Sequence, residues 1–223
     1  MIRVLIVDDQ ALIRTAVREI LRAAADVEVV GEAVDGAEAV AVAMAQHPDV
    51  VLMDIRMPQL DGIEATARIC RDPALARTRV LILTTFEDDD NVVAALRAGA
   101  SGFIGKGSEP DEIVRAVRAI DAGDALLSPA ATRGLIAKYL AAAPARPVDA
   151  PQAPLDALTP REEEILTLVA RGRSNDEIAT ELVISPLTAK THVNRIMAKI
   201  GAHDRAQLVV WAYESGFVAP GRE

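Results

Sequence analysis

Five short apolar segments alternate with five longer segments of helical periodicity over the first 122 residues, and this alternation restricts the fold more than any other feature. The apolar segments are rich in Val, Ile and Leu and mostly lack in-and-out alternation. Such segments are typical of strands in a parallel sheet that helices cover on both faces. We therefore predict an α/β doubly wound parallel sheet of five strands. The predicted strands are Arg3–Val7, Glu28–Ala33, Val50–Met53, Val80–Thr84 and Gly102–Gly105.

The segments between these strands carry apolar residues at spacings of three and four, as one face of a helix does. Because such sheets bind ligands at the carboxyl ends of their strands, we expect functional residues at that edge. The predicted helices are Ala11–Ala25, Gly36–Gln46, Gly62–Arg71, Asp88–Ala98 and Pro110–Ala122.

The composition changes beyond the predicted sheet. Pro129–Ala143 has a helical pattern, whereas Ala141–Pro154 is rich in Ala and Pro and has almost no large apolar residue. A segment of that kind cannot build a core and is typical of a semi-extended linker. From Leu155 onward the pattern is helical throughout. We therefore predict a domain at residues 1–125, a helix and linker at 126–154, and a small all-α domain at 155–223.

Capping signals divide the C-terminal region into four predicted helices. Each of the first three begins with Ser or Thr, and in the first two a Glu follows three residues later, as in a capping box. The second and third helices are separated by a very short turn at 183–185, which is typical of a helix-turn-helix. The predicted caps are Thr159 with Glu162, Ser174 with Glu177, and Ser185; Gly201 ends the third helix, and the fourth spans about Arg205 to Ser215.

The charge of the chain is unevenly distributed. A net charge of −9 argues against a general affinity for nucleic acid. The third C-terminal helix differs, because Pro186–Ile200 holds three basic residues and no acidic one. Binding to nucleic acid would therefore depend on a local basic face of this helix.

The chain has no visible targeting segment. Its single cysteine, Cys70, excludes an intrachain disulfide and fits a reducing compartment. The apolar run at Ile2–Val7 is too short for a signal-peptide core, and no run of about 18 apolar residues could form a membrane span. We therefore expect a cytoplasmic protein without a membrane segment.

Three carboxylates, a hydroxyl and an ammonium follow the predicted strands at their carboxyl ends. Because parallel strands end at the same edge of a sheet, we expect these groups to converge. Mg²⁺ prefers carboxylate oxygens together with water and phosphate oxygens. A carboxylate can also act as a nucleophile towards phosphorus, and Lys and Thr can bind the other phosphoryl oxygens. A site for Mg²⁺ and a phosphoryl group is therefore predicted at Asp8, Asp9, Asp54, Thr84 and Lys106.

Residues 2–122 resemble the receiver domains of response regulators, which have a flavodoxin-like fold. The resemblance rests on the motifs LIVDD, LMDIRMPQLDG, LILTT and AGASGFIGK. It implies a phosphoacceptor aspartate, a Mg²⁺ site and residues that respond to the phosphoryl group. The implied roles are phosphoacceptor and metal ligand for Asp54, direct metal ligand for Asp9, water-mediated metal ligand for Asp8, carbonyl metal ligand for Arg56, phosphoryl contacts for Thr84 and Lys106, and aromatic switch for Phe103.

The third C-terminal helix has two faces. Val193, Ile196 and Ile200 form an apolar stripe. Polar residues lie elsewhere on the helix, flanked by basic residues that include Arg195. Residues 155–217 resemble the LuxR/NarL-type helix-turn-helix, through LTPREEEILTLVARGRSNDEIATEL and SPLTAKTHVNRIMAKIG. This resemblance implies base contacts by Lys190, Thr191 and Asn194 and phosphate contacts by Thr188, His192 and Lys199.

Together the two resemblances indicate the NarL/FixJ class of response regulators. They imply a cognate sensor histidine kinase, double-stranded DNA and a homodimer as partners, and a regulatory phosphoacceptor in place of an enzyme. Two other functions stay open on the residues alone. One is a module whose output is protein binding, and the other is a phosphohydrolase that uses Asp54. The hydrolase is disfavoured because Arg56 stands where that class has a second aspartate.

The resemblance also bears on how long the phosphoryl group would persist. It places the residues two positions after Asp54 and Thr84 beside the path of an attacking water, and here they are Arg56 and Phe86. Both side chains are large, and neither offers an acceptor that could orient water, since Arg is permanently protonated. We therefore expect self-dephosphorylation to be slow.

Overall fold

The computed structural model describes residues 1–84, 89–123 and 158–218. For residues 89–93 it describes the backbone alone. The chain divides into two compact units, residues 1–126 and 127–223. The predicted helix at Pro129–Ala143, the predicted linker at Ala141–Pro154 and the side chain of Phe86 all lie outside the described residues.

The first unit contains five strands, β1 Ile2–Val7, β2 Val27–Ala33, β3 Val50–Asp54, β4 Arg79–Thr84 and β5 Gly102–Gly105. They form one sheet in the order β2-β1-β3-β4-β5, and every pairing is parallel. The predicted doubly wound sheet is confirmed. Successive residues of β1 alternate between the two faces: Leu5 and Val7 pack into one core, and Val4 and Ile6 into the other.

Helices cover both faces of this sheet. They are α1 Ala11–Arg22, α2 Gly36–Gln46, α3 Gly62–Arg71, α4 Asp89–Ala98 and α5 Pro110–Asp121, with a short 3-10 helix at Pro73–Leu75. The cores place α1 and α5 on one face and α2, α3 and α4 on the other. The first helix ends at Arg22, earlier than the predicted Ala25, because the backbone N–H of Ala24 donates to the Leu21 carbonyl and starts a tight turn.

The described part of the second unit is helical and has its own apolar core. The capping boxes at Thr159 and Ser174 are both formed, and Ser185 caps the next helix through Thr188. Gly201 ends that helix in the left-handed conformation, as predicted. The helices are α6 Pro160–Ala170, α7 Asn175–Leu182, α8 Pro186–Ile200 and α9 Arg205–Glu214.

Candidate functional site

An acidic pocket lies at the carboxyl edge of the sheet. Asp8 follows β1 and is fully buried, and Asp54 ends β3 and is 5% exposed. Asp9 is exposed beside them, and each of these three residues offers a carboxylate oxygen within 4.8 Å of the other two. The structure thus brings together the three carboxylates among the four predicted metal ligands. Mg²⁺ binds carboxylate oxygens together with water and phosphate oxygens, so this open cluster of carboxylates fits the ion chemically.

Lys106 joins the two buried carboxylates. Its Nζ lies 2.8 Å from Asp8 Oδ2 and 2.9 Å from Asp54 Oδ2. The backbone N–H of Lys106 donates to the Thr84 carbonyl at 2.7 Å, which ties the loop after β5 to the end of β4. The predicted phosphoryl contacts Lys106 and Thr84 therefore lie on adjacent segments at the pocket.

Burial and ion pairing shift the pKa values of Asp54 and Lys106 in opposite directions. Burial raises the pKa of the Asp54 carboxyl above its ordinary value, although Lys106 pulls that pKa down. Burial lowers the pKa of the Lys106 ammonium, but Asp8 and Asp54 outweigh this effect and leave the pKa raised. A buried carboxylate that contacts an ammonium and has a perturbed pKa is typical of a functional site.

The loop after Asp54 passes very close to the strand that carries it. A Cβ on Gly62 would lie 1.9 Å from the Asp54 carbonyl oxygen, so only glycine fits. The N–H of Gly62 donates to the Ile55 carbonyl at 2.9 Å, and Gln59 adopts a left-handed φ of 63° to allow the turn. Arg56 is exposed in this loop. Phe103, the predicted switch aromatic, is half-buried against the core under α2, α3 and α4.

Two arginines beside the acidic pocket were not predicted from the sequence, Arg14 and Arg18. Arg14 donates through Nη1 to the Asp8 backbone carbonyl at 2.7 Å, and its Nε lies 3.4 Å from Glu32 Oε2. Arg18 also binds Glu32, at 2.7 Å. The basic spacing of Arg14 and Arg18 on one helix face is visible in the sequence, but their shared acid on β2 is not.

The predicted recognition helix α8 is buried on one face and exposed on the other. Val193 and Ile196 are buried, and Ile200 packs against the same core. The predicted DNA contacts divide by exposure: Thr188, Thr191, Asn194 and Arg195 are exposed, and Lys190 and His192 are half-buried.

Lys199 has a partner that the sequence did not reveal. Its Nζ lies 2.6 Å from Oε2 of Glu162, whose side chain is buried at the start of α6. This ion pair and the backbone N–H of Thr159 lower the pKa of Glu162 to about 2. Lys199 therefore links the last turn of α8 to the N-terminus of α6.

Comparison with known families accounts for both units. The response regulator receiver domain family matches residues 4–118, and the family described as bacterial regulatory proteins, luxR family, matches residues 156–212. None of the helices in the described ranges is long and apolar enough to span a bilayer.

Relatives match along the whole chain. The transcriptional regulatory protein LiaR of Bacillus subtilis is 40% identical, over 98% of this chain and all 100% of LiaR. The response regulator VraR of Staphylococcus aureus is 37% identical, over 97% of this chain and 99% of VraR. The crystal structure of ChrA, a response regulator of a heme-sensing two-component system, superposes with a TM-score of 0.52 at 33% identity, covering 97% of this chain and 98% of ChrA. The chain therefore belongs to the response regulators, and its receiver domain and LuxR-type DNA-binding domain make it a two-component regulator of transcription.

Proposed function

We propose that Asp54 is the phosphoacceptor of this regulator and that a sensor histidine kinase is the donor. A carboxylate oxygen of Asp54 attacks the phosphorus of the phosphohistidine, the P–N bond breaks, and the imidazole nitrogen keeps the bonding electron pair. The product is an acyl phosphate on Asp54. The observation that carries the proposal is the burial of this carboxylate within 2.9 Å of the Lys106 ammonium, beside two further acids.

The acidic pocket would hold Mg²⁺ during this transfer. Asp9 and Asp54 would bind the ion directly, Asp8 through water, and the backbone carbonyl of Arg56 would complete the protein ligands. When bound, Mg²⁺ supplies positive charge that offsets the negative charge of the transferring group. The close packing of Gly62 against Asp54 supports this role, because it holds the loop that carries Arg56 near the carboxylates.

Lys106 and Thr84 would bind the oxygens of the transferred phosphoryl group. Lys106 already touches Asp54 and Asp8, so a small movement of its ammonium would follow the new charge. Thr84 and Phe103 would reposition with it and bias a two-state equilibrium on the face formed by α4, β5 and α5.

The second unit would bind double-stranded DNA through α8, with homodimerisation pairing two half-sites. Lys190, Thr191 and Asn194 would contact bases. Thr188, His192, Arg195 and Lys199 would contact phosphates, with Lys199 doing so from its ion pair with Glu162. Replacing Lys190 by Ala should weaken binding and relax sequence preference in a binding-site selection. A uniform loss over all sequences would show that Lys190 contacts phosphate alone.

We also propose that residues 1–125 and 155–223 act as separate domains joined by 126–154. Each unit has its own apolar core among the described residues, which supports this division. Limited proteolysis should cut first within 126–154 and leave two stable fragments. Early cleavage inside either core region would contradict the boundaries.

Labelling with a small phosphodonor and Mg²⁺ tests the phosphoacceptor. Asp54→Asn should abolish incorporation. The matched control is Asp61→Asn, in the same loop, because Asp61 is an exposed N-cap that accepts from the Glu64 N–H and Asn caps equally well. Undiminished labelling of Asp54→Asn would reject the assignment.

The phosphoryl group should be lost slowly. Arg56 is exposed at the pocket loop, which suits a side chain that covers the approach of water. The test is to remove the donor and follow decay of the acyl phosphate. The double variant Arg56→Asn, Phe86→Glu should decay faster than the wild type, and equal rates would refute the shielding.

A further inference from the structure

One stripe of α8 is exposed along its whole length. Leu187, Thr191, Asn194 and Ala198 follow each other at spacings of four, three and four, so they share one face of the helix. All four are exposed, whereas the opposite face is buried in the core. Leu187 is the unexpected member, because this large apolar residue is 75% exposed.

The hydroxyl groups near Leu187 are already used within the helix. Thr191 Oγ1 donates to the Leu187 carbonyl at 2.8 Å. Ser185 Oγ lies 2.8 Å from Thr188 Oγ1 and also accepts the backbone N–H of Thr188 at 3.1 Å. The first turns of α8 therefore present an isobutyl group on the exposed stripe, and the nearest hydroxyls hold local hydrogen bonds.

We propose that Leu187 is a specificity-determining residue that contacts the C5-methyl group of a thymine in each half-site. The inference rests on the proposed use of α8 as the recognition helix. In a helix-turn-helix the N-terminal residues of this helix reach the base edges of the major groove. Thymine is the base that displays a methyl group there, and an apolar side chain discriminates it from cytosine by burying that methyl.

The stripe also gives the spacing of the contact. Leu187 and Asn194 are seven residues apart, which is about 10 Å along a helix. Base pairs are stacked about 3.4 Å apart, so a helix lying along the groove places the two contacts about three base pairs apart. Asn is suited to bidentate contact with adenine. The half-site therefore has a thymine for Leu187 about three pairs from the base pair that Asn194 reads.

Replacing thymine by uracil tests the contact, since the exchange removes only the methyl group. The bound sequence is first selected from a random duplex pool with the phosphorylated full chain. Each thymine of the selected site is then replaced singly by uracil, and the affinity of wild type and Leu187→Ala is measured. At one thymine per half-site, the exchange should lower the DNA affinity of the wild type about fourfold, which corresponds to the burial of one methyl group. The same exchange should leave the DNA affinity of Leu187→Ala unchanged.

Val183→Ala is the matched control, because Val183 is also apolar and exposed but lies in the turn before α8, off the stripe. It should keep the wild-type response to uracil. Leu187→Met keeps an apolar group on the stripe, so it should also keep most of the wild-type response to uracil. The inference would be overturned if uracil lowered the affinity of Leu187→Ala and of the wild type equally at every thymine. It would also be overturned if uracil lowered the affinity of the wild type at no position. Absence of any selected sequence would instead reject DNA binding through α8.

Discussion

Glu162 is a buried carboxylate that serves two parts of the helix-turn-helix unit. Its Oε2 accepts the backbone N–H of Thr159 at 2.8 Å, which caps α6, and binds Lys199 Nζ at 2.6 Å. Removing one partner of a buried ion pair leaves the charge of the other partner unpaired, which destabilises the folded state. Lys199 is thus held in place within the folded unit by this ion pair.

The low pKa of Glu162 makes this pair a source of pH-dependent stability. Because the pKa falls from 4.5 to about 2 on folding, the stabilisation is complete above pH 4.5 and is lost as the pH falls towards 2. We expect Glu162→Gln to lower the free energy of unfolding by about 2 kcal/mol at neutral pH and to flatten its pH dependence below 4.5.

The fluorescence of Trp211, the single tryptophan, reports unfolding of this unit in the full chain. Glu164→Gln is the control, since Glu164 lies in the same helix but in an exposed ion pair with Arg161. A Glu162→Gln protein as stable as this control would contradict the buried ion pair.

Val183 has an unfavourable backbone conformation. It caps the C-terminus of α7 with φ 53° and ψ 49°, in the left-handed region that β-branched residues avoid, and the residue is 90% exposed. Val183→Gly should raise the free energy of unfolding by about 1 kcal/mol, because relief of the left-handed strain exceeds the entropy cost of glycine. Denaturation followed at Trp211 checks this, and a less stable variant would show that Val183 contributes packing.

At the scale of elements, helix α1 supports the acidic pocket through Arg14. The guanidinium fixes the carbonyl of Asp8, and Glu32 on β2 holds the guanidinium. Such supporting contacts orient metal ligands and commonly change affinity by about 10-fold or more when removed. We expect Arg14→Ala to weaken Mg²⁺ binding by about 10-fold in calorimetric titration.

Arg22→Ala is the control for that titration, because Arg22 lies in the same helix and pairs only with exposed Glu19 among the described residues. It should bind Mg²⁺ like the wild type. Arg14→Lys should restore part of the affinity. If Arg14→Ala merely melts at a lower temperature and binds Mg²⁺ normally, its role is structural alone.

Elements and caps could be predicted from the sequence because their signals are local. Ser and Thr with Glu three residues later begin α6 and α7 as expected, and five apolar runs form the sheet. The convergence of Asp8 and Asp54 followed from the rule that parallel strands end at one edge. The Lys199–Glu162 pair joins residues 37 apart, and no local pattern encodes which acid on another helix a lysine will meet.

At the scale of the whole molecule, the two units carry different chemistry. The first holds the acidic pocket, and the second presents α8, which has three basic residues and no acidic one. The proposed transfer of a phosphoryl group to Asp54 would link the two units. Coupling between two such sites typically changes affinity by about 5- to 150-fold.

The measurement that tests this link is the DNA affinity of the full chain with and without a small phosphodonor and Mg²⁺, at fixed salt. The wild type and Asp61→Asn should bind at least about fivefold more tightly with the donor. Asp54→Asn should bind equally with and without it. The proposed link would be contradicted if the donor increased the DNA affinity of Asp54→Asn. It would also be contradicted if the donor left the DNA affinity of the wild type unchanged despite stoichiometric labelling.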